Sequence, residues 1–183
     1  MHPLLLVAFL SIGLALAFFV LQNLGAKRRA ASEDKVMKGY FLLGLSGLMA
    51  KIAAADGKVT SDESDMAMRF FSRMDLTDAE RAMCIGHFVT ASRDDLTARD
   101  HAKRFMAYAN MTACSFLYDL LWRISRADGV VAEAEDRLLG EIAEYLGLGK
   151  AVYENFKAGS KPHYDKTDLQ VAGVPPSLVA LAG

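Results

Sequence analysis

The sequence predicts an all-α protein, with a single N-terminal transmembrane helix followed by a bundle of about seven helices. Three observations carry this. An uncharged apolar run extends from Pro3 to Gln22, and prolines are then absent until Pro162. Between them, apolar residues recur at helical spacing, with no sustained period-2 run of β-branched residues. A chain of 183 residues has room for one ordinary domain and one appendage. The expected organisation is an anchor over 1–26, a basic and polar linker over 27–34, a helical domain over 35–159 and a tail over 160–183.

The anchor comes first. The run PLLLVAFLSIGLALAFFVLQ contains Ser11 and Gln22 as its main polar interruptions. Twenty helical residues rise about 30 Å, the thickness of the hydrocarbon core. Bilayer contact is therefore expected over residues 3–24. Lys27, Arg28 and Arg29 follow the run, and no Lys or Arg precedes it. A secretory signal has its positive charges on the other side and a small-residue cleavage site after the run. The positive-inside rule predicts a retained single-pass anchor, with the N-terminus outside and the domain in the cytoplasm. The expected location is the inner (cytoplasmic) membrane.

Charge and cysteine content narrow the function classes. The 21 basic and 22 acidic residues nearly cancel, which argues against a nucleic-acid partner. Cys84 and Cys114, the only cysteines, form no CxxC and read as small core residues.

In the domain, Phe41, Leu45, Leu48 and Ile52 fall at i, i+4, i+7 and i+11, with Leu42 and Met49 beside them. A segment apolar around most of its circumference belongs at the centre of a bundle. Leu117, Leu120, Leu121 and Ile124 form a second stripe, and Leu138, Ile142 and Tyr145 a third. Weaker segments carry Met66, Phe70 and Met74, then Ile85, Phe88 and Val89, then Phe105 and Tyr108. Thr60-x-x-Glu63 and Thr77-x-x-Glu80 match the capping box, and Thr97-x-x-Asp100 is a looser version. Gly57, Gly129 and Gly147 stand where C-terminal glycines belong.

One feature is more specific than periodicity. Ile52 to Glu63 (IAAADGKVTSDE) is echoed by Ile124 to Glu135 (ISRADGVVAEAE), both reading I-x-x-A-D-G-x-V-x-x-x-E. Each copy closes one helix and opens the next, which implies two related helical hairpins about a pseudo-twofold axis. With the Phe71-Ser72-Arg73-Met74-Asp75-Leu76 segment and the ending Ile142 to Leu148, this ordered set resembles the tellurite-resistance TerB family. More closely, it looks like the central domain of membrane-anchored DjlA-type co-chaperones, over about Tyr40 to Gly159. The resemblance implies a TerB-like bundle, a bacterial inner-membrane anchor of the same orientation, and a class tied to membrane-linked stress responses and complex assembly. Those co-chaperones carry a C-terminal J domain whose His-Pro-Asp tripeptide stimulates an Hsp70. Here Pro162-His163-Tyr164-Asp165 has the wrong order, so Hsp70 stimulation is not expected.

The candidate site residues are Asp56, Glu63, Asp128 and Glu135. Two readings stand. If the turns converge, four carboxylates supply oxygen ligands to calcium or magnesium, a role that the TerB resemblance also implies. Alternatively, each Asp ends a helix before Gly, and Glu63 is half of a capping box with Thr60. Ala132 replaces the threonine in the second copy, so Glu135 has no box partner yet is still present. Neither turn has the D-x-D-x-D-G ladder of an EF-hand, and no other cofactor is expected. His87 and His101 fall on separate helices without ligand spacing and read as partly buried or solvated histidines. Ser46 sits inside an apolar helix and is expected to bond back to the preceding turn. No G-x-S-x-G, H-E-x-x-H or P-loop is present, so no enzyme is expected. The tail from Val171 to Gly183 is apolar around Pro175-Pro176 and is expected to dock on its own domain or on a partner.

The function expected from these readings is a noncatalytic, membrane-tethered scaffold or accessory subunit that binds membrane protein partners. The alternative is a divalent-metal-responsive stress protein that uses the acidic turns.

Overall fold

The computed structural model describes residues 35–159, and the anchor, linker and tail expectations lie outside these. The described residues form seven helices and no strands. In chain order they are α1 (Lys35–Ala53), α2 (Ser61–Arg73), α3 (Asp78–Ala91), α4 (Ala98–Met106), α5 (Met111–Ser125), α6 (Glu133–Tyr145) and α7 (Gly149–Lys157).

Helix α1 is the spine of the bundle. Its 19 residues include an 18-residue window of mean hydropathy 1.3, which would allow it to cross a bilayer by length and composition. Its packing says otherwise: Leu42, Leu45, Leu48, Met49 and Ile52 are at most 1 % exposed, so the apolar stripe faces protein. Helix α5 is the second central element, burying Ala113, Cys114, Phe116 to Trp122, Ile124 and Ser125. Its one buried acid, Asp119, is neutralised one turn on by Arg123, with Nε and Nη2 at 2.9 and 2.7 Å from Oδ2. Around these two, α2 packs on α3 and α5, while α6 packs on α4, α5 and α7. The Tyr118 hydroxyl donates to the Leu139 carbonyl at 3.0 Å, tying α5 to α6. Both cysteines are buried and form no disulfide, and burial pushes the Cys114 thiol up to about 11.

Local chemistry sets the helix starts. Thr60, Thr77 and Thr97 each accept from the backbone N–H three residues on, while Glu63, Glu80 and Asp100 reach back to the cap's own N–H. Two of the four orphan donors at each start are satisfied in this way. Asn110 caps α5 by accepting from Ala113 N at 3.0 Å.

Helices α1 and α4 approach unusually closely, and two glycines permit it. A Cβ on Gly44 would lie 2.5 Å from the Phe105 backbone nitrogen, and one on Gly47 would strike the His101 ring. With no side chain between the helices, Phe41 meets Phe105 at 4.6 Å between ring centroids. Gly86 differs: it lies in α3, and nothing stands within 4 Å of its missing Cβ.

These environments predict opposite responses to the same substitution. Gly44→Ala overpacks a backbone contact and is expected to cost about 1–3 kcal/mol. Gly86→Ala removes only the helical glycine penalty and is expected to add about 0.5–1 kcal/mol. Trp122 is the only tryptophan and is 2 % exposed, so denaturant unfolding of the full chain in mild detergent, followed by its fluorescence, reports both changes.

Candidate functional site

The duplicated turns superpose bond for bond. In the first, Ala55 N donates to Ile52 O at 3.1 Å and Gly57 N to Ala54 O at 3.0 Å. In the second, Ala127 N donates to Ile124 O at 2.9 Å and Gly129 N to Arg126 O at 3.1 Å. Gly57 and Gly129 take φ of 87° and 90°, the left-handed region that a side chain disfavours. Asp56 Oδ1 then accepts from Lys58 N at 2.9 Å, and Asp128 Oδ1 from Val130 N at 3.0 Å. Glu63 Oε2 accepts from Thr60 N at 2.8 Å, and Glu135 Oε2 from Ala132 N at 2.7 Å.

The four acidic residues divide into two roles. Asp56 and Asp128 are exposed, and each folds its own turn by bonding the backbone two residues on. Glu63 and Glu135 are each 4 % exposed, and their carboxyl groups come within hydrogen-bonding reach of one another. The pairing therefore joins the two repeats at the starts of α2 and α6. Among the described residues, no three His, Cys, Asp or Glu side chains are grouped so as to hold a metal ion.

Two buried carboxylates in contact cannot both ionise cheaply. Burial drives the Glu135 carboxyl above its usual range, and the hydrogen bond and charge of Glu63 push the same way. The Ala132 N–H opposes the rise. Ser125 Oγ also works against it from a buried position, although it makes no hydrogen bond of good geometry. The contact between the repeats thus favours the protonated form of Glu135. In the first copy Thr60 Oγ1 also meets Glu63 Oε2 at 2.8 Å; in the second, Ala132 leaves Glu135 with half a capping box.

A second polar cluster lies between α1, α3 and α4. Ser46 Oγ donates to Leu42 O at 2.7 Å, the expected back-bond, and also stands 3.0 Å from His87 Nδ1. A hydroxyl has one proton, so His87 Nδ1 is the donor to Ser46. The His87 and His101 rings meet at 5.4 Å and 77°. His101 is fully buried, and neither ring nitrogen has a hydrogen-bond partner among the described residues. Its Nε2 lies 3.9 Å from Asp94 Oδ1, which Lys51 Nζ already holds at 2.9 Å. Burial lowers the His101 pKa to about 4. Asp94 opposes this, while His87, Arg104 and Lys51 reinforce it. Burial also lowers His87.

The sequence places these histidines on separate helices and leaves them apart; the fold brings them into contact. The usable signal was the glycine pair, since Gly44 and Gly47 on an apolar helix announce a close neighbour. Ser, His and Asp together do not make an activated nucleophile here. The serine gives its proton to a backbone carbonyl and receives one from the imidazole, the reverse of what general-base activation needs.

A duplicated all-α module with its polar side chains committed to turns, caps and inter-helix contacts is the class that fold and site define. The family description of tellurite resistance protein TerB matches residues 42–158, well over half of the chain. The chain belongs to that family. It is also 24% identical over 148 residues to the co-chaperone protein DjlA of Yersinia pseudotuberculosis serotype I (strain IP32953), and equally to that of Yersinia pestis. Each match covers 79% of this chain and 53% of the relative, so the chain spans about half the length of the curated relatives it matches. No solved structure gives a significant match.

The two clusters respond to pH with opposite sign. A lowered histidine pKa means that the folded state binds fewer protons than the unfolded chain. The His101 contribution is therefore full above about 6.5 and lost as pH falls toward about 4. A raised carboxyl pKa means the reverse, so the Glu135 contribution is full at acid pH and lost as pH rises toward neutrality. Glu135→Gln preserves a donor for Glu63 and an acceptor for Ala132 N without a charge to shed. It is expected to stabilise the protein at alkaline pH by on the order of 1 kcal/mol and to do little near pH 5, as read by denaturant unfolding at both pH values.

Proposed function

We propose that this chain is a membrane-tethered, noncatalytic TerB-family interaction module that serves as scaffold or accessory subunit of a membrane protein complex. The observation that carries the reading is the uncharged run from Pro3 to Gln22 with Lys27, Arg28 and Arg29 directly after it, ahead of a TerB domain. By the positive-inside rule, that order supports a domain on the cytoplasmic side of the inner membrane. Support also comes from the chemistry of the domain. Its acidic turn residues close turns and cap helix starts, which suits a rigid module that presents surfaces to a partner.

Purification of the full chain from membranes in mild detergent tests this. The chain is expected to co-migrate with a membrane protein in a discrete species larger than itself, and solitary migration counts against stable assembly. Protease added to inverted vesicles is expected to reach the domain and protease added to right-side-out vesicles to spare it; the opposite pattern reverses the orientation. The relatives are named co-chaperones. This 183-residue chain, whose Pro162-His163 order differs from His-Pro-Asp, is expected to leave the ATPase rate of an Hsp70 unchanged even in excess.

A second reading, divalent-metal response, rests on the Glu63 and Glu135 pair, because a carboxyl pair that holds a proton can also exchange it for a cation. On this reading millimolar calcium or magnesium raises the unfolding temperature, and more so as pH rises, since the cation must displace that proton. Glu135→Gln would abolish the rise. On the leading reading the melting curve is the same with and without metal.

A further inference from the structure

The duplication leaves one helix over. Its matched turns pair α1 and α2 with α5 and α6, and α3 and α7 follow in turn, so α4 has no counterpart among the described residues. Contacts that exclude α4 already join the rest, α2 packing on α3 and α5, and α6 on α5 and α7. Helix α4 has nine residues and buries Ala98, His101, Ala102 and Phe105. An ionisable ring is thus part of its seat, set against α1 where Gly47 has no side chain.

The surroundings of that ring suit its neutral form. His101 Nδ1 faces the Gly47 backbone, Nε2 lies 3.9 Å from Asp94 Oδ1, and neither nitrogen has a hydrogen-bond partner among the described residues. A proton on the ring would have Asp94 as its near anion, and Lys51 already holds that carboxylate at 2.9 Å. From α1 the ring faces Lys51, from α3 His87, from the α3–α4 connection Asp94, and on α4 itself Arg104 and Asp100. Helix α6 also packs on α4, where Arg99 lies over the Tyr145 ring and Tyr145 bonds Glu141, and those groups do not act on the imidazole. A buried charge without a free partner is relieved by exposure, and the least costly exposure lifts the short helix that carries it.

We propose that α4 is an acid-released clamp: protonation of His101 unseats α4 from α1 and leaves both repeats folded. Phe105 then parts from Phe41, and the apolar face of α1 around Gly44 and Gly47 is bared. The sign follows from the burial that lowers this histidine to about 4. The seated form binds the proton more weakly than the open form, so opening rises as pH falls from about 6.5 toward about 4. Between pH 7.5 and pH 5 the open population is expected to rise about thirtyfold. This holds for the domain whether or not residues 3–24 span a bilayer.

Hydrogen exchange of the full chain in mild detergent tests the clamp helix by helix, each amide being corrected for its intrinsic rate at that pH. Protection of the amides from His101 to Ala107, which bond within α4, is expected to fall about thirtyfold from pH 7.5 to pH 5. Protection in α5 is expected to change far less, because global unfolding also releases the Glu63 and Glu135 pair, whose shift has the opposite sign. Equal falls in α4 and α5 would mean that the domain opens as one unit, and would overturn the clamp. Flat or rising protection in α4 would mean that Asp94 keeps the charged ring in place, and would overturn it as well. His101→Gln should remove most of the α4 response. Lys51→Gln, at a partly exposed position, tests the same point even if the glutamine at 101 prevents folding. It frees Asp94 to hold the charged ring in its seat, so the α4 response should shrink at least about twofold. A response left unchanged by either substitution takes His101 out of the switch and sinks the proposal.

Discussion

The close seating of α4 against α1 is the constraint on which the rest of this bundle depends. It exists because two glycines one turn apart remove the side chains that would hold the helices apart. The same seating buries His101 without a hydrogen-bond partner among the described residues and stacks Tyr40 on Tyr108 at the bundle's end. A buried imidazole with both nitrogens unpaired carries a desolvation penalty, and the surrounding apolar packing has to offset it. Lys51 and Asp94 close that region by pairing with each other at 2.9 Å, with the His101 ring beside them.

The second structural joint works differently. Where α1 and α4 meet through missing side chains, the two repeats meet through a pair of buried carboxyl groups. Glu63 and Glu135 leave solvent together, and the neutral form of one is what makes their contact tolerable. The exposed aspartates cannot substitute for them, because their oxygens are already used by the backbone of their own turns. Fold and electrostatics are therefore coupled at the pseudo-twofold axis. Either pairing tightens the bundle in one range of pH and loosens it in the other.

Much of this architecture is legible from the residues. The stripe of Phe41, Leu45, Leu48 and Ile52 marks the central helix because a helix buried on most sides must be apolar on most sides, and these residues are in the core. Thr60, Thr77 and Thr97 mark helix starts because capping is a contact across three residues, well within what a local reading captures. The repeated A-D-G turns are similarly local. What the chain hides is long-range pairing. Nothing in the spacing of Glu63 and Glu135 separates them from Asp56 and Asp128, and only the packing of α2 and α6 about α5 draws the glutamates inward. His87 and His101 were illegible for the same reason, since their meeting depends on how closely α4 seats on α1, where Gly44 and Gly47 leave room.

The unequal caps of the two repeats carry a consequence for the order of assembly. The start of α2 is closed by Thr60 and Glu63 alone, through bonds that need only four consecutive residues. The start of α6 lacks the hydroxyl partner, and its Glu135 gains a second partner only when the first repeat is already in place. A helix whose end is secured locally forms early, and one whose end waits on a distant carboxyl forms late. The first hairpin thus becomes the template on which the second is laid down, so substitutions at Thr60 should slow refolding, whereas those at Glu135 should chiefly hasten unfolding. The first hairpin is also the one synthesised first, and the direction of folding would follow the direction of translation.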